Sequence, residues 1–118
     1  MLGQRVLIVD DHAGFRAAAT VMLEAAGCDV VGGVADGEET LAAVATLNPD
    51  LVLLDLQLPG IDGVTVSELL SNLDHPPGVI LISSREDAAM EPRVVGAPTL
   101  GFVSKRHLGE ASIKALLA

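Results

Sequence analysis

The sequence predicts an α/β fold in which five parallel strands form one sheet with helices on both faces. Short apolar runs alternate along the whole chain with segments of helical periodicity. Most of these runs are continuous rather than interrupted by polar residues, which is typical of strands buried on both faces. Half of the residues are hydrophobic but only 2% are aromatic. A core of Val, Leu, Ile and Ala is therefore expected, which suits a sheet covered by helices.

The first unit is predicted to be a strand, an acidic turn and a helix. The strand runs from Val6 to Val9 and stops at Asp10-Asp11, as expected for a buried strand that delivers acids to its carboxyl end. From His12 to Ala26 apolar residues recur at helical spacing, and Gly27 is placed to end the helix. The residues predicted to face the core are Phe15, Ala18, Ala19, Met22, Leu23 and Ala26.

A second, weaker strand is predicted over Asp29 to Val34, because the glycine pair within it is typical of a sheet edge or a close backbone contact. A helix from Glu38 to Leu47 follows and ends before Asn48-Pro49. Its inner face is predicted to carry Leu41, Val44 and Ala45, with Leu47 at the edge.

The third strand is predicted over Leu51 to Asp55, which are four apolar residues followed by an acid. Pro59-Gly60 and Asp62-Gly63 then indicate the turn out of this strand. A third helix is predicted from Val64 to Leu73, where His75-Pro76-Pro77-Gly78 breaks it. Its inner face is predicted to consist of Val66, Leu69, Leu70 and Leu73.

The last part of the chain is predicted to hold two strands and one regular helix. Between the strands, the segment from Arg85 to Pro98 is expected to form at most a short or kinked helix, because Pro92 falls where a helix interior would be. Five strands alternating with helices imply right-handed crossovers and a flavodoxin-like (βα)5 sheet. The remaining elements are strands at Val79 to Ile82 and Thr99 to Val103, and a helix at Leu108 to Leu117 with Ile113, Leu116 and Leu117 facing inward.

Polar residues follow four of the five strands, namely Asp10-Asp11, Asp55, Ser83 and Lys105. The carboxyl ends of parallel strands share one rim, where open α/β sheets bind ligands. Carboxylates brought together there repel one another unless a cation neutralises them or some protonate. Oxygen ligands without a cluster of His or Cys favour Mg²⁺, or Mn²⁺ in its place.

An anionic Asp55 beside a cation, the ammonium of Lys105 and the hydroxyl of Ser83 suits phosphoryl transfer, which depends mostly on positioning and charge neutralisation. The product would be an acyl phosphate, which water hydrolyses, so the modified state would be temporary. The negative charge and acceptor oxygens of the added phosphoryl group would draw Ser83 and Lys105 towards it. These features predict a switch rather than a metabolic enzyme.

This pattern resembles the receiver domain of bacterial two-component response regulators. The resemblance covers essentially the whole chain and rests on Asp10-Asp11 after the first strand, Asp55 in Leu-Asp-Leu-Gln-Leu-Pro-Gly-Ile-Asp-Gly, Ser83, and Lys105 in Gly-Phe-Val-Ser-Lys. The chain is most similar to the subgroup with a LuxR-like helix-turn-helix output domain, on the strength of the segments 10–16 and 101–105. Two departures are the irregular segment 85–98 and Arg106, which replaces the proline that often follows the lysine.

The resemblance implies the following partners and roles. A sensor histidine kinase would phosphorylate the chain, and homodimerisation on phosphorylation is an expected response. Asp55 would be the phosphoacceptor, with Ser83 and Lys105 holding the phosphoryl oxygens. Asp11 and the Gln57 carbonyl would bind Mg²⁺ directly, and Asp10 would bind it through water. Phe102 would be the aromatic that changes rotamer with Ser83, and Gln57 and Arg85 would tune dephosphorylation.

Length, composition and charge limit the number of domains, the classes of binding partner and the cellular compartment. With 118 residues, one receiver domain spanning 1–118 is expected. The net charge of -9, from 7 basic and 16 acidic residues, argues against direct nucleic-acid binding. The single Cys28 suits a reducing compartment and is expected to fill space beside a strand. No apolar run approaches the roughly 18 residues of a membrane span, and no signal peptide is evident. A cytoplasmic protein without membrane contact is predicted.

Other interpretations stay open at this point. Alone, an Asp at a strand end is usually a turn former or a helix cap, and Ser84 competes with Ser83. His12, His75 and His107 are expected in solvated turns. A flavodoxin-like ligand-binding module is one alternative, since residues 10–14 come near the Asp-x-His-x-x-Gly signature of cobalamin binding, although Phe15 stands where the glycine should be. A small Mg²⁺-dependent phosphohydrolase is another. A receiver of this kind is either a stand-alone protein or part of a longer regulator.

Overall fold

The computed structural model describes residues 2–118 and contains one five-stranded parallel sheet. The strands are β1 (Arg5–Val9), β2 (Asp29–Val34), β3 (Leu51–Asp55), β4 (Gly78–Ser83) and β5 (Gly101–Ser104). They lie in the order β2-β1-β3-β4-β5, and every neighbouring pair is parallel. The predicted five-stranded parallel sheet is therefore confirmed, and the glycine-containing β2 lies at an edge.

Within residues 2–118, five α-helices connect and follow these strands. They are α1 (Ala13–Ala25), α2 (Gly37–Leu47), α3 (Gly63–Ser71), α4 (Pro92–Val95) and α5 (Glu110–Leu117). Two short 3₁₀ helices, Glu86–Met90 and Lys105–His107, precede α4 and α5. The flavodoxin-like arrangement follows, with α1 and α5 on one face of the sheet and α2, α3 and α4 on the other.

The core has two halves because successive residues of a strand point to opposite faces of the sheet. Along β1, Val6 and Ile8 pack towards α1 and α5, whereas Leu7 and Val9 pack towards α2, α3 and α4. All four of these side chains are fully buried. Cys28 is buried in the half that contains α1 and α5, as the sequence predicts. Burial on both faces explains why the strands appear as continuous apolar runs.

Aspartate caps set the first residues of α2 and α3. The side chain of Asp36 accepts a hydrogen bond from the backbone N–H of Glu39, and that of Asp62 accepts one from Thr65, both at 2.8 Å. Such caps satisfy N–H groups that have no partner within the helix. Each helix therefore begins at the glycine directly after its cap, one residue before the predicted start.

The predicted inner faces of the helices are partly wrong. Leu69 and Leu73 are 42% and 43% exposed, because α3 ends at Ser71 and turns Leu70 rather than Leu69 towards the sheet. Small polar residues are buried instead. Ser67 donates a hydrogen bond to Val64 O at 2.6 Å, which satisfies its hydroxyl within the helix. Ala18 and Ala45, also predicted to face inward, are exposed.

The segment between β4 and β5 is irregular, as predicted. It consists of the 3₁₀ helix and the single turn of α4, and it is anchored by the buried side chains of Ala88 and Val94. Pro92 lies in the first turn of α4, where a missing backbone N–H costs no helical hydrogen bond. The proline therefore starts a new helix here, and the 3₁₀ helix before it ends at Met90.

The chain after this segment differs in its bounds from the prediction. The last strand covers 101–104 rather than 99–103, and a 3₁₀ turn delays the terminal helix to Glu110. Ile113 is fully buried, and Leu116 and Leu117 pack against the same half of the core, which confirms the predicted inner face. The peptide bond between Lys105 and Arg106 is trans. Among residues 2–118, no helix has the length and apolar character needed to cross a membrane.

Candidate functional site

The fold brings the carboxyl ends of four strands to one rim. Asp10 follows β1, Asp55 and Ser83 end β3 and β4, and Lys105 follows β5. β1 and β3 are adjacent in the sheet, and from them the chain leads outward to β2 on one side and to β4 and β5 on the other. Ligands bind open α/β sheets at such a reversal of strand order.

Lys105 lies between two buried carboxylates. Its Nζ atom is 2.5 Å from Asp10 Oδ2 and 3.2 Å from Asp55 Oδ2. The same atom lies 4.4 Å from the centre of the Phe15 ring, a distance suited to a cation–π interaction. Only 17% of the lysine side chain is exposed. The structure thus places the ammonium, both acids and an aromatic face in one pocket.

Asp10 is fully buried and firmly held. Its backbone N–H donates to Val34 O at 3.1 Å, and its carbonyl accepts a hydrogen bond from Arg16. Asp10 Oδ1 accepts from the backbone N–H of His12 at 2.8 Å. Within residues 2–118, the other oxygen, Oδ2, has no hydrogen-bond partner apart from its ion pair with Lys105. A buried carboxylate oxygen with spare acceptor capacity points towards a cation.

Asp55 is 4% exposed and presents its carboxylate to the same pocket. Asp55 Oδ1 accepts a hydrogen bond from the backbone N–H of Gln57 at 3.0 Å, while Oδ2 faces the lysine. The backbone behind it is fixed by the hydrogen bond from Leu56 N to Ile82 O, at 2.9 Å. The nucleophile candidate therefore stands on a rigid strand end rather than on a free loop.

The two buried carboxylates differ in basicity. Burial raises the pKa of Asp55 above its usual value, and the neighbouring Asp10 adds to the rise, against the opposing effects of Gln57 N–H and Lys105. Burial also acts to raise the pKa of Asp10, but Lys105 and the His12 N–H outweigh it, so that this pKa is lowered. Burial disfavours the charged form of Lys105, yet both acids together hold its pKa above the usual value. The ammonium therefore pairs mainly with Asp10, and Asp55 is the more basic carboxylate.

Four side chains at this rim have the spacing of a cation site. One ligand atom each from Asp10, Asp11, His12 and Asp55 lies within 4.8 Å of the others. The three carboxylates are hard oxygen donors, which is the donor set that Mg²⁺ prefers. The residues present therefore fit a magnesium ion, which would supply positive charge against the two buried acids.

Ser83 lies at the same rim but outside the ion-pair cluster. It is 1% exposed, whereas the competing Ser84 is exposed. Ser83 Oγ accepts a hydrogen bond from the backbone N–H of Arg85 at 3.0 Å. Together with Gln57 and Arg93, it lines a cavity of about 100 Å³ that also borders Leu56, the residue after Asp55. The structure thus favours Ser83 over Ser84 for contact with a group in the pocket.

Ion pairs tie the irregular segment to this cavity. Arg93 of α4 reaches Asp62, the cap of α3, with 3.1 Å between Nη1 and Oδ2. Arg85 lies 2.6 Å from Glu91 within the segment. Burial would raise the pKa of Asp62, but the Thr65 N–H and Arg93 lower it overall. Exposed pairs of this kind each contribute little to stability.

Sequence reasoning missed three contributors to the site. Phe15 is predicted only as core, and its helical spacing gives no sign of the contact with Lys105; its rarity, as one of two Phe residues, is the sole signal. His12 is predicted in a solvated turn, and its side chain is indeed 73% exposed, but it also contacts both Asp10 and Asp11. Gly63 is predicted only as a turn residue.

Phe102 packs partly buried against the core half that contains α2, α3 and α4.

Gly63→Ala is expected to destabilise the protein by about 1–3 kcal/mol or more, because overpacking forces the backbone to shift. An added Cβ would lie 2.3 Å from Asp55 O and 2.9 Å from Leu56 Cα, both backbone atoms. Urea denaturation measures the change. Gly14→Ala is the matched control, since nothing lies within 4 Å of its added Cβ and alanine favours the helical backbone of α1 more than glycine does. Equal stability of Gly63→Ala and the parent protein would contradict this prediction.

The fold and the site together define a flavodoxin-like α/β protein with an acidic pocket and a buried lysine at the reversal of strand order. Residues 6–117 match the family model of the response regulator receiver domain. The chain belongs to this family and is a receiver domain of two-component response regulators. Magnesium binding and phosphorylation by histidine kinases are general features of such domains. The predicted family is confirmed.

Relatives of known name support this assignment. The DNA-binding response regulator MtrA of Mycobacterium tuberculosis is 39% identical over 84 residues, which cover 71% of this chain and 36% of that protein. A protein-glutamate methylesterase/protein-glutamine glutaminase of Geobacter sulfurreducens is 39% identical over 106 residues, which cover 89% of this chain and 28% of that protein. The signal receiver domain of NarL from Mycobacterium tuberculosis superposes with a TM-score of 0.85 at 28% identity, covering 100% of this chain and 99% of that one.

The relatives are longer proteins. The chain spans 56% or less of the length of the first curated relatives that it matches. A solved response regulator of the LuxR family from Aurantimonas has a TM-score of 0.81 at 24% identity, covers 96% of this chain and 81% of its own, and shares the fold. The similarity therefore concerns the receiver portion of these proteins.

Proposed function

We propose that the chain is switched by Mg²⁺-dependent phosphoryl transfer from a sensor histidine kinase, or from a small phosphodonor, to Asp55. The observation that carries this proposal is the buried Asp55 carboxylate, which shares the Lys105 ammonium with Asp10. Asp11, the third carboxylate of the pocket, is exposed and so accessible to an incoming hydrated ion. Membership of the receiver family supports the same assignment.

Each predicted ligand has a place in this proposal. Asp11 and Asp55 would hold Mg²⁺ directly, and Asp10 would act through water. The backbone carbonyl of Gln57 would complete the protein ligands, because the Gln57 N–H already holds the loop against Asp55 Oδ1. Mn²⁺ would serve in place of Mg²⁺, since both ions accept oxygen ligands. The ion would supply positive charge against the acids and the incoming phosphoryl group.

The transfer itself requires little covalent chemistry from the protein. An oxygen of Asp55 attacks the phosphorus in line with the leaving group, the donor's P–N or P–O bond breaks, and an acyl phosphate forms. Lys105 neutralises the new phosphoryl charge, and Ser83 donates its hydroxyl hydrogen to a phosphoryl oxygen. Ser83 would then point towards Asp55 and weaken its contact with the backbone N–H of Arg85, the first residue of the irregular segment.

The wider setting is part of the same proposal. One receiver domain over 1–118 would act in the cytoplasm as a switch, without turnover of an external substrate, and homodimerisation would follow phosphorylation. The LuxR-like subgroup suggests an output that controls transcription through a DNA-binding domain, whereas a stand-alone receiver is the alternative. The excess of acidic residues supports an absence of nucleic-acid binding by this domain itself. The cobalamin-binding and phosphohydrolase alternatives have no support from the family.

Intact-mass analysis with acetyl phosphate tests the proposal. One phosphoryl group should be added in the presence of Mg²⁺ and none in the presence of a chelator. Addition that is independent of the metal, or an absence of addition under all conditions, would overturn the proposed function.

Mg²⁺ is also expected to stabilise the fold against heat, because it binds the folded acids and not the unfolded chain. The gain is about 2.7 kcal/mol at a hundredfold excess over the dissociation constant. Asp11→Ala should remove most of this gain, since it deletes the exposed ligand while leaving the buried ion pairs intact. Thermal unfolding with and without Mg²⁺ measures it. Asp74→Ala, at another exposed acid, should keep the full gain; a similar loss in both variants would indicate nonspecific binding.

A further inference from the structure

His12 stands at the mouth of the acidic pocket. It is the residue before α1, with extended backbone at φ -97° and ψ 109°. Its Nδ1 atom lies 3.0 Å from Asp11 Oδ1 and 3.2 Å from Asp10 Oδ1. The imidazole thus contacts both acids of the turn, although most of the ring is exposed.

These separations match those between ligands of one metal ion. Two ligand atoms bound side by side at about 2.1 Å on an octahedron are about 3.0 Å apart, and two on opposite sides are about 4.2 Å apart. The ligand atoms of Asp10, Asp11, His12 and Asp55 all lie within 4.8 Å of one another. The distances from His12 Nδ1 to the two acids are those of neighbouring ligands, and the cluster as a whole would have to move inward to bind one ion.

A second observation points to a cation at this place. Asp10 is fully buried, and within the described part of the chain its Oδ2 atom has no hydrogen-bond partner apart from its ion pair with the Lys105 ammonium. The carboxylate therefore keeps acceptor capacity directed into the pocket. If His12 only formed hydrogen bonds to the two acids and no metal ion were bound, this acceptor capacity of the Asp10 carboxylate would stay unused.

We propose that His12 is a metal ligand, which makes this pocket a site for borderline transition-metal dications such as Co²⁺, Ni²⁺ and Zn²⁺ as well as for Mg²⁺. Imidazole nitrogen binds these ions strongly, whereas Mg²⁺ prefers oxygen and keeps several water ligands. The inference rests on the proposed function in using the same acids. The imidazole selects the ion, and a transition metal held by it competes with Mg²⁺ for the phosphoacceptor pocket.

The alternative role for His12 is that of a positioning residue, which holds the two acids by hydrogen bonds. The two roles differ in their dependence on the ion. A positioning residue supports every metal that the acids bind, so its removal weakens Mg²⁺ and Co²⁺ alike. A ligand supports chiefly the ions that prefer nitrogen.

The test is a titration of untagged protein with Co²⁺, followed by visible absorption, together with a calorimetric titration with Mg²⁺. His12→Ala is expected to weaken Co²⁺ binding by about tenfold or more and to change Mg²⁺ binding by less than about twofold. His107→Ala, at another exposed histidine whose Nδ1 lies 2.7 Å from Ser104 Oγ, is the matched control and should leave both ions unaffected. Circular dichroism verifies that both variants are folded.

Each other outcome overturns the inference. An equal loss for both ions assigns His12 a positioning role, and unchanged Co²⁺ binding shows that the imidazole is not a ligand. A loss of Co²⁺ binding in His107→Ala places the ion elsewhere. If Mg²⁺ binds the parent protein in these cases, the proposed function stands without the inference; if neither ion binds, both fail.

Discussion

Asp55→Asn is expected to abolish phosphorylation of the chain by acetyl phosphate. The carboxamide has nearly the shape of the carboxylate but lacks the anionic oxygen that attacks phosphorus. The substitution also removes one of the two buried negative charges beside Lys105, whose remaining partner, Asp10, lies closer. Intact-mass analysis in the presence of Mg²⁺ should show one added phosphoryl group on the parent protein and none on the variant.

Loss of folding would not explain this result. Because the pKa of Asp55 is raised in the folded protein, its ionised form is disfavoured there, and an uncharged amide is expected to maintain or increase stability at neutral pH. Asp74→Asn makes the same chemical change at an exposed position and should be phosphorylated like the parent protein. Persistent labelling of the Asp55→Asn protein at another residue would contradict the assignment of the phosphoacceptor.

The predictability of the site from sequence follows from the geometry of parallel strands. Asp10, Asp55 and Lys105 each adjoin the end of a strand, and strand ends on one edge of a sheet must lie near each other whatever the loops do. The three side chains are consequently brought together as predicted. His12 depends on the conformation of one turn, and the cation–π contact of Phe15 depends on a rotamer, so neither could be derived from spacing.

The buried residues were also predicted more reliably for the strands than for the helices. Continuous apolar runs identify the buried residues of a strand directly, whereas helical periodicity does not determine whether a residue at the edge of the apolar stripe or near the helix end is buried. Leu73 is exposed because α3 ends before it, and Leu69 because Leu70 takes the position that faces the sheet. Hydroxyl groups that bond within their own helix allow Thr40 and Ser67 to be buried. A pattern of apolar residues cannot reveal that a Ser or Thr hydroxyl is hydrogen-bonded to the backbone of its own helix and can therefore be buried.

The last prediction concerns the ammonium that the two buried acids share. Lys105→Met retains much of the length of the side chain but leaves Asp10 and Asp55 without their cation. Removal of one partner from a buried ion pair typically costs about 3–5 kcal/mol, because the remaining charge stays buried and uncompensated. Urea denaturation in the presence of a chelator should show a loss of this order.

Mg²⁺ should reverse part of that loss, because an ion bound by the same acids replaces the missing positive charge. The gain in stability on adding Mg²⁺ is therefore expected to be larger for Lys105→Met than for the parent protein, even though phosphorylation falls. Lys114→Met, at an exposed position on α5, is the matched control and should alter neither the stability nor the response to the ion by more than about 0.5 kcal/mol. A Lys105→Met protein as stable as the parent in the chelator would mean that the acids share a proton instead, and that the lysine is not what permits their burial.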